Sequence, residues 1–295
     1  MSDRQAYLNG TWSPDTGLAI PVNDPGFALG VTITERLRTF NGKVWRQAEH
    51  VRRLRRSAEI VGINPTVADE IDAAITEYQR RHEPLRAEGD DWAIVAFATP
   101  GGDEPTRCVH GFPLPFRGWA AQFTAGVSVW LSDHRQTPEN CWPAELKCRS
   151  RMHYYLADQQ AQQHEPGSRA LLLDQDGFVG EASTANVVIY NAREGIVSPR
   201  MEKVLPGVSV AALRELALQH GVPFSERDLT IDELRAAEEV WLASTSICLL
   251  PVVRCDGQPI GSGRPGPGYA QLLGAWNEAV GLDVAEQARR RAGLI

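Results

Sequence analysis

Ala144-Glu145-Leu146-Lys147-Cys148-Arg149 holds one of only three lysines in a chain of 295 residues whose basic residues number thirty. Lys43 follows an Asn41-Gly42 turn and reads as an exposed hairpin residue. Lys203 sits among loop formers between Pro199 and Pro206. Lys147 alone has apolar neighbours, just ahead of a run from Met152 to Gln163 that reads as a helix. A lysine held against a packed scaffold can lose its proton and attack a carbonyl carbon. A lysine that lays its stem along an apolar surface at a helix start gives the same local pattern. The rest of the chain has to choose between the two.

Working outward, length and composition set the bounds. The chain is long enough for two domains or one large one. An apolar share of 43% and a charged share of 23% suit an ordinary soluble globular protein. A net charge of −7 argues against a general nucleic-acid binder. The start, Met-Ser-Asp-Arg-Gln, has no apolar signal core and no run approaches transmembrane length, so a cytoplasmic protein without a membrane partner is expected. Five cysteines without a CxxC pair read as reduced thiols, and scattered histidines without HExxH spacing give no reason to expect a metal.

Upstream of the lysine, Tyr7-Leu8 and Thr11-Trp12 flank Asn9-Gly10, a hairpin signal. Val31 to Phe40 reads as a strand. Its alternation puts Thr32, Thr34, Arg36 and Arg38 on one face and Val31, Ile33, Glu35 and Leu37 on the other. Two arginines on one strand face suit an anion or a solvated edge equally. Residues 48–61 read as a helix with Val51, Leu54, Ala58 and Val61 as its apolar stripe. Arg53 lies beside that stripe, where an inward guanidinium would suit a phosphate. A second helix is expected over 67–82, with strands over 92–99 and 107–112. The proline-bearing stretch from Pro113 to Phe123 is the candidate link. The expected division is a smaller N-terminal domain (1–117), a linker (118–125) and a larger C-terminal domain (126–295) carrying the lysine.

Downstream, strands are expected over 169–173, 178–181, 185–190 and 195–198, the first pair joined by Asp176-Gly177. Leu205-Pro206-Gly207-Val208-Ser209 leads into a helix that ends near Gly221, and Thr230 to Glu233 has the form of a capping box. A strand over 239–243 ends in Ser244-Thr245-Ser246, and a closing helix runs from Tyr269 to Val280. Strands and helices alternate irregularly, with many hairpins. The fold class is therefore α+β or mixed α/β, not a doubly wound parallel sheet.

Three segments offer groups for one phosphate. The helix entered through Gly207-Val208-Ser209 presents unpaired amides and the positive end of its dipole. Ser244-Thr245-Ser246 presents hydroxyls, and Arg53 a bidentate fork. Glu181, after a strand and before Ala182-Ser183-Thr184-Ala185-Asn186, could pair with a protonated ring nitrogen or be an ordinary exposed acid. Lysine, carboxylate and phosphate cup together describe a pyridoxal phosphate site.

At these residues the sequence resembles the class IV aminotransferases, the fold type IV pyridoxal phosphate enzymes that include branched-chain and D-amino acid aminotransferases and 4-amino-4-deoxychorismate lyase. Asp24-x-Gly26 through Glu35-x-x-Arg38 looks like the family's first strand pair. His50-Val-Arg-Arg53-Leu54-Arg-Arg-Ser57 is similar to its H-x-x-R-L-x-x-S helix. Leu146-Lys147 matches the Schiff-base lysine, and Gly177 to Asn186 the segment whose glutamate meets the pyridine nitrogen. Leu205 to Ser209 resembles L-P-G-[IV]-[ST], and Ser244 to Ser246 the last phosphate turn. The resemblance implies a two-domain D-amino acid aminotransferase-like fold and, by family habit, a homodimer. It implies Lys147 as catalytic, with Arg53, Glu181, Asn186, Leu205, Val208, Ser209, Thr245 and Ser246 on the cofactor. The implied reaction moves an amino group from an amino acid to a 2-oxo acid.

The substrate side departs from the well-known subtypes. Thr34 stands where an aromatic residue is common. Met152 stands where the branched-chain type has a tyrosine, with Tyr154 and Tyr155 close behind. Thr34, Arg36, Arg38 and His153 are candidates for substrate contact, Arg38 for the carboxylate. Two alternatives stay open: the lyase, which releases pyruvate without an amino acceptor, and a non-catalytic homologue that binds the cofactor.

Overall fold

The computed structural model describes residues 4–295. The chain divides into two compact units, Met1–Leu114 with Glu145–Ser150, and Pro115–Ala144 with Arg151–Ile295. The expected division put Lys147 in the C-terminal domain and a linker at 118–125. Instead the first unit ends at Leu114 and takes the lysine segment with it. The reason is backbone pairing with a strand more than a hundred residues earlier, described below. Nor are residues 116–125 an open link: a 3-10 turn, Phe116–Gly118, and helix α4 (Gln122–Ala125) bury Phe116 and Phe123. 

The first unit contains β1 (Gln5–Leu8), β2 (Thr11–Pro14), α1 (Pro25–Ala28), β3 (Ile33–Phe40), β4 (Lys43–Val44), α2 (Gln47–Val61), α3 (Val67–His82), β5 (Trp92–Thr99) and β6 (Thr106–Pro113). Among the described residues its strands form a six-stranded antiparallel sheet in the order β2-β1-β6-β5-β3-β4. Asn9 and Gly10 both take positive φ (47° and 89°), as a two-residue hairpin turn of this hand requires. The core joins Ile33 and Leu37 of β3 to Val51, Leu54 and Ala58 of α2 and to Val67, Ile71, Ile75 and Tyr78 of α3. The apolar stripe of α2 thus packs where its spacing of three and four predicts. 

The second unit contains β7 (Val127–Arg135), α5 (Met152–His164), β8 (Arg169–Leu173), β9 (Val179–Ala182), β10 (Ala185–Asn191), β11 (Gly195–Ser198), α6 (Val208–Gln219), β12 (Phe224–Glu226), α7 (Ile231–Ala236), β13 (Glu239–Ser244), β14 (Cys248–Cys255), β15 (Gln258–Pro259), α8 (Pro267–Val280) and α9 (Val284–Ala292). Its sheet runs β12-β11-β10-β13-β14-β7-β8-β9, and β9 pairs back onto β10, so six strands close a ring. Parallel neighbours β7 and β8 are joined through α5, and β11 and β12 through α6. The Thr230–Glu233 capping box forms at the start of α7. The carboxylate of Glu239 accepts from the amides of Gly268 (2.7 Å) and Tyr269 (2.9 Å), tying the first turn of α8 to β13. 

Strand β14 has no counterpart in the sequence reading, because Pro251 argues against a central strand. Pro251 pairs with Trp241 of β13 but lies just before Val252, where pairing with β7 begins. The missing N–H therefore removes no ladder bond on the β7 side.

Candidate active site

In the first unit, the lysine segment is laid against β3. Thr34 N donates to Lys147 O (2.9 Å) and Arg149 N to Thr32 O (2.8 Å), and Ile33 and Cys148 face each other as a bridge. Ser150 Oγ donates to Gly30 O (2.8 Å). The amide of Lys147 donates to Ser57 Oγ at 3.2 Å. The chain on both sides of the lysine is thus fixed by hydrogen bonds that do not use its amine. 

The same helix supplies a buried ionic cluster. His50, Arg53 and Ser57 lie three and four residues apart, so α2 presents them on one side. Glu35 comes from the β3 face read as apolar and is only 1% exposed. Its carboxylate accepts from Arg53 Nε (2.7 Å) and Nη2 (2.8 Å), and His50 Nδ1 lies 2.7 Å from Oε2. Burial raises the pKa of Glu35, but the charge and hydrogen bonds of Arg53 outweigh it, with help from His50, and hold the carboxyl far below its ordinary range. Burial pushes the pKa of His50 down, the hydrogen bond and charge of Glu35 push it back up, and the charges of Arg53 and Lys147 lower it again, leaving it below its ordinary value. Glu35 and His50 were absent from the candidate residues. The signal available was a lone acid within an apolar strand face, together with a histidine and an arginine three apart on the next helix.

The opposite face of β3 carries Thr34, Arg36 and Arg38. Thr34 is buried and donates to Ala96 O (3.0 Å). Arg38 is 1% exposed, with its guanidinium 4.0 Å from the centre of the Phe40 ring and Nε donating to Thr39 O. The Phe40 ring and the Thr39 carbonyl are thus among its neighbours. Arg36 lies over the Phe112 ring at 4.9 Å. It stands across β5 from His110, since both pair with Val95. Burial, then the charges of Arg149 and Arg36, lower the pKa of His110. Two guanidiniums and an imidazole therefore share this neighbourhood.

In the second unit, Glu181 on β9 is 7% exposed and receives three neutral donors. Asn186 Nδ2 donates to Oε1 (2.9 Å), while Tyr154 Oη (2.7 Å) and Gln136 Nε2 (3.3 Å) donate to Oε2. Asn186 Nδ2 also donates to Leu205 O (2.8 Å). Glu181, Asn186 and Leu205 are thus brought together directly. A Cβ on Gly207 would strike Asn186 Oδ1, so glycine is required for this approach. Tyr154, noticed in the sequence but given no role, is the unassigned member of the group.

Helix α6 starts at Val208 after Gly207, with no side chain capping its first turn. Val208 and Ser209 are buried, and Ser209 Oγ is shielded from solvent with no hydrogen-bond partner among the described residues. Thr245 and Ser246 sit in the turn between β13 and β14, closed by Cys248 with φ of 58°. His153 stacks obliquely on Tyr154 at 4.0 Å, and burial, then Arg151, keep its pKa low. In the two-residue turn between Glu181 and Asn186, Thr184 takes φ of 66°, an uncommon conformation for a β-branched residue.

Comparison with known proteins bears on all of this. A family model described as amino-transferase class IV matches residues 32–255. D-alanine aminotransferase of Staphylococcus aureus (strain MW2) is 28% identical over 274 residues, spanning 90% of this chain and 94% of that protein. The corresponding enzyme of Bacillus licheniformis is 28% identical over 279 residues, 89% and 92% of the two chains. Among solved structures, the branched-chain amino acid aminotransferase of Escherichia coli superposes with a TM-score of 0.85 at 22% identity, covering 96% of this chain and 95% of that one. The branched-chain aminotransferase of Thermoproteus uzoniensis, solved with norvaline, gives 0.84 at 22% identity over 96% and 97%. The fold expected from the sequence is therefore the fold observed, and the chain belongs to the class IV aminotransferase family.

Proposed function

We propose that this chain is a pyridoxal phosphate-dependent aminotransferase that moves an amino group from an amino acid to a 2-oxo acid. The observation that carries the reading is the start of α6. A buried serine hydroxyl without a partner among the described residues sits in an uncapped first helical turn, next to a glycine packed on Asn186. Free helical amides and a shielded hydroxyl fit a phosphate group. A buried carboxylate held by neutral donors fits a protonated ring nitrogen, and a lysine fixed through its backbone fits a carbonyl carbon. The donor set thus matches the cofactor. 

Bound pyridoxal phosphate supplies an aldehyde that exchanges amino groups and a ring that accepts the electron pair left on the substrate carbon. Lys147 is the residue that would hold the aldehyde carbon, and its free amine would move the proton at the substrate α-carbon. Glu181 holds the proton at the ring nitrogen, and Asn186 orients Glu181. Ser209, the amides around Val208, Thr245, Ser246 and Arg53 are the groups that would hold the phosphate, and Leu205 the residue that would meet the ring. In its own unit Arg53 gives Nε and Nη2 to Glu35. Arg36, beside His110 and Arg149, replaces Arg38 as the contact for a substrate carboxylate.

Relatives named D-alanine aminotransferase support a donor of D configuration. The aminotransferase names favour transfer over the pyruvate-releasing lyase. Family resemblance supports a homodimer, and the cysteine thiols fit a reducing compartment such as the cytoplasm; among the described residues no helix is long and apolar enough to cross a membrane. Borohydride reduction of the protein with added pyridoxal phosphate, followed by peptide mass mapping, tests the core of the proposal. The adduct should fall on Lys147. An adduct confined to Lys43 or Lys203 overturns it. Separate additions of D- and L-amino acids then decide handedness, by which one bleaches the visible band.

A further inference from the structure

Tyr154 has no part in the scheme above, yet its hydroxyl makes the shortest hydrogen bond to the Glu181 carboxylate (2.7 Å, against 2.9 Å from Asn186 and 3.3 Å from Gln136). The three donors come from three elements. Tyr154 is in the first turn of α5, Gln136 follows the last residue of β7, and Asn186 is on β10. The α5 helix that carries Tyr154 is anchored through Ala157 and Ala161 against Ala170 and Leu172 of β8, and Tyr154 itself packs on that cluster. The phenol is therefore presented from a packed scaffold. It is also locked in its donor form, because burial first, then the charge and hydrogen bond of Glu181, push its pKa well above the ordinary range.

We propose that Tyr154 is a positioning residue that sets how strongly Glu181 holds the proton on the cofactor's ring nitrogen. The inference rests on the role of Glu181 proposed above. A carboxylate offers about four acceptor directions, and every neutral donor it satisfies withdraws charge from the remaining ones. A short bond from a phenol, the most acidic of the three donors, withdraws the most. The phenol also fixes which oxygen is drawn away: Oε2 accepts from Tyr154 and Gln136, while Asn186 donates to Oε1. With Tyr154 present, Glu181 is a deliberately weakened partner for the nitrogen. Without the hydroxyl it becomes a stronger one, and the ring nitrogen binds its proton more tightly.

The test uses pyridoxal phosphate labelled with nitrogen-15 at the ring, bound to the full-length protein and read by nitrogen NMR across pH. Glu181→Gln comes first, as the control for the underlying reading, and should move the resonance toward the unprotonated position. If it does not, the role of Glu181 itself is wrong. Given that shift, Tyr154→Phe should move the resonance the other way and raise the proton affinity of the nitrogen about tenfold, about one pH unit. Site-specific 3-fluorotyrosine, a more acidic phenol of nearly the same shape, should lower it. A role in packing alone predicts no shift in either variant. The proposal fails if Glu181→Gln shifts the resonance while Tyr154→Phe and 3-fluorotyrosine leave it in place, or if both move it in the same direction. Should Tyr154→Phe not fold, the fluorotyrosine protein decides alone.

Discussion

Glu35 in the first unit and Glu181 in the second are each buried in a polar cluster, and the two clusters differ in kind. Glu35 is gripped by a bidentate arginine and a histidine, whereas Glu181 is surrounded by a phenol and two amides. A carboxylate paired with a guanidinium has its charge cancelled on the spot, and removing either partner strands the other in a low-dielectric interior. A carboxylate held by neutral donors keeps its charge while its geometry is fixed. The first arrangement is a structural anchor. The second, in the function proposed above, is the partner of the ring nitrogen. Burial alone does not distinguish a functional acid from a structural one, and neither do neutral donors alone: Glu239 is as buried as Glu181 and accepts from two backbone amides and the Trp241 indole, yet it ties α8 to β13.

Substitutions can break or sharpen that contrast. Lys147→Ala should lower turnover at least about a thousandfold while the thermal transition stays near that of the wild type, since the lysine's backbone bonds remain. Retained activity would remove the lysine from the reaction. Glu35→Gln should cost roughly 3–5 kcal/mol of stability, as breaking a buried ion pair does, read as a loss of melting temperature before cofactor is added. A small shift would mean the cluster is not an anchor. Glu181→Gln should do the reverse, lowering kcat/KM on the order of a hundredfold with little change in the apoprotein's melting temperature. If both glutamines behave alike, the contrast collapses.

Acidity tests the anchor from another side. Glu35 and His50 both have lowered pKa values in the folded protein, so the unfolded chain binds more protons than the folded one. Their stabilisation is fully present above the ordinary histidine value of 6.5 and falls as pH drops below it, then further below the ordinary glutamate value of 4.5. Melting curves between pH 8 and 4 should show that decline, and Glu35→Gln should flatten its lower part. The smallest effect is expected at Thr184. Replacing it with glycine should relieve its left-handed backbone and stabilise the second unit by up to about 1 kcal/mol, without altering Glu181. A loss of stability would show that the threonine side chain offsets its strain.

Local pattern made much of this legible. The α3 helix spans Val67–His82 and β5 spans Trp92–Thr99, as their periodicity predicts, and the Thr230–Glu233 capping box forms as its residues require. Motif order placed Lys147, Glu181 and Ser209 among the candidates, and the structure clusters Glu181 with Asn186 and Leu205. Pairing across sequence distance was not legible. Alternation sees that Glu35 shares a face with Ile33 and Leu37, but not that His50 and Arg53 meet it there. Nor does any local signal say that residues 147–149 pair with Thr32–Thr34, which is why the lysine was assigned to the wrong unit. Strand alternation likewise does not show that Arg38 lies over the ring of Phe40, two residues on.

That late pairing also has a consequence for the order in which the protein is made. The ribosome finishes Met1–Leu114 and must then deliver residues 115–144 before the strip that completes the first unit emerges. During that interval the backbone of β3 near Thr32–Thr34 lacks the partner that Lys147–Arg149 will provide, and an unpaired strand margin invites stray pairing with other chains. Nascent chains stalled before residue 145 should therefore be the ones that chaperones hold. The residue that starts the chemistry is also the residue that closes the nursery.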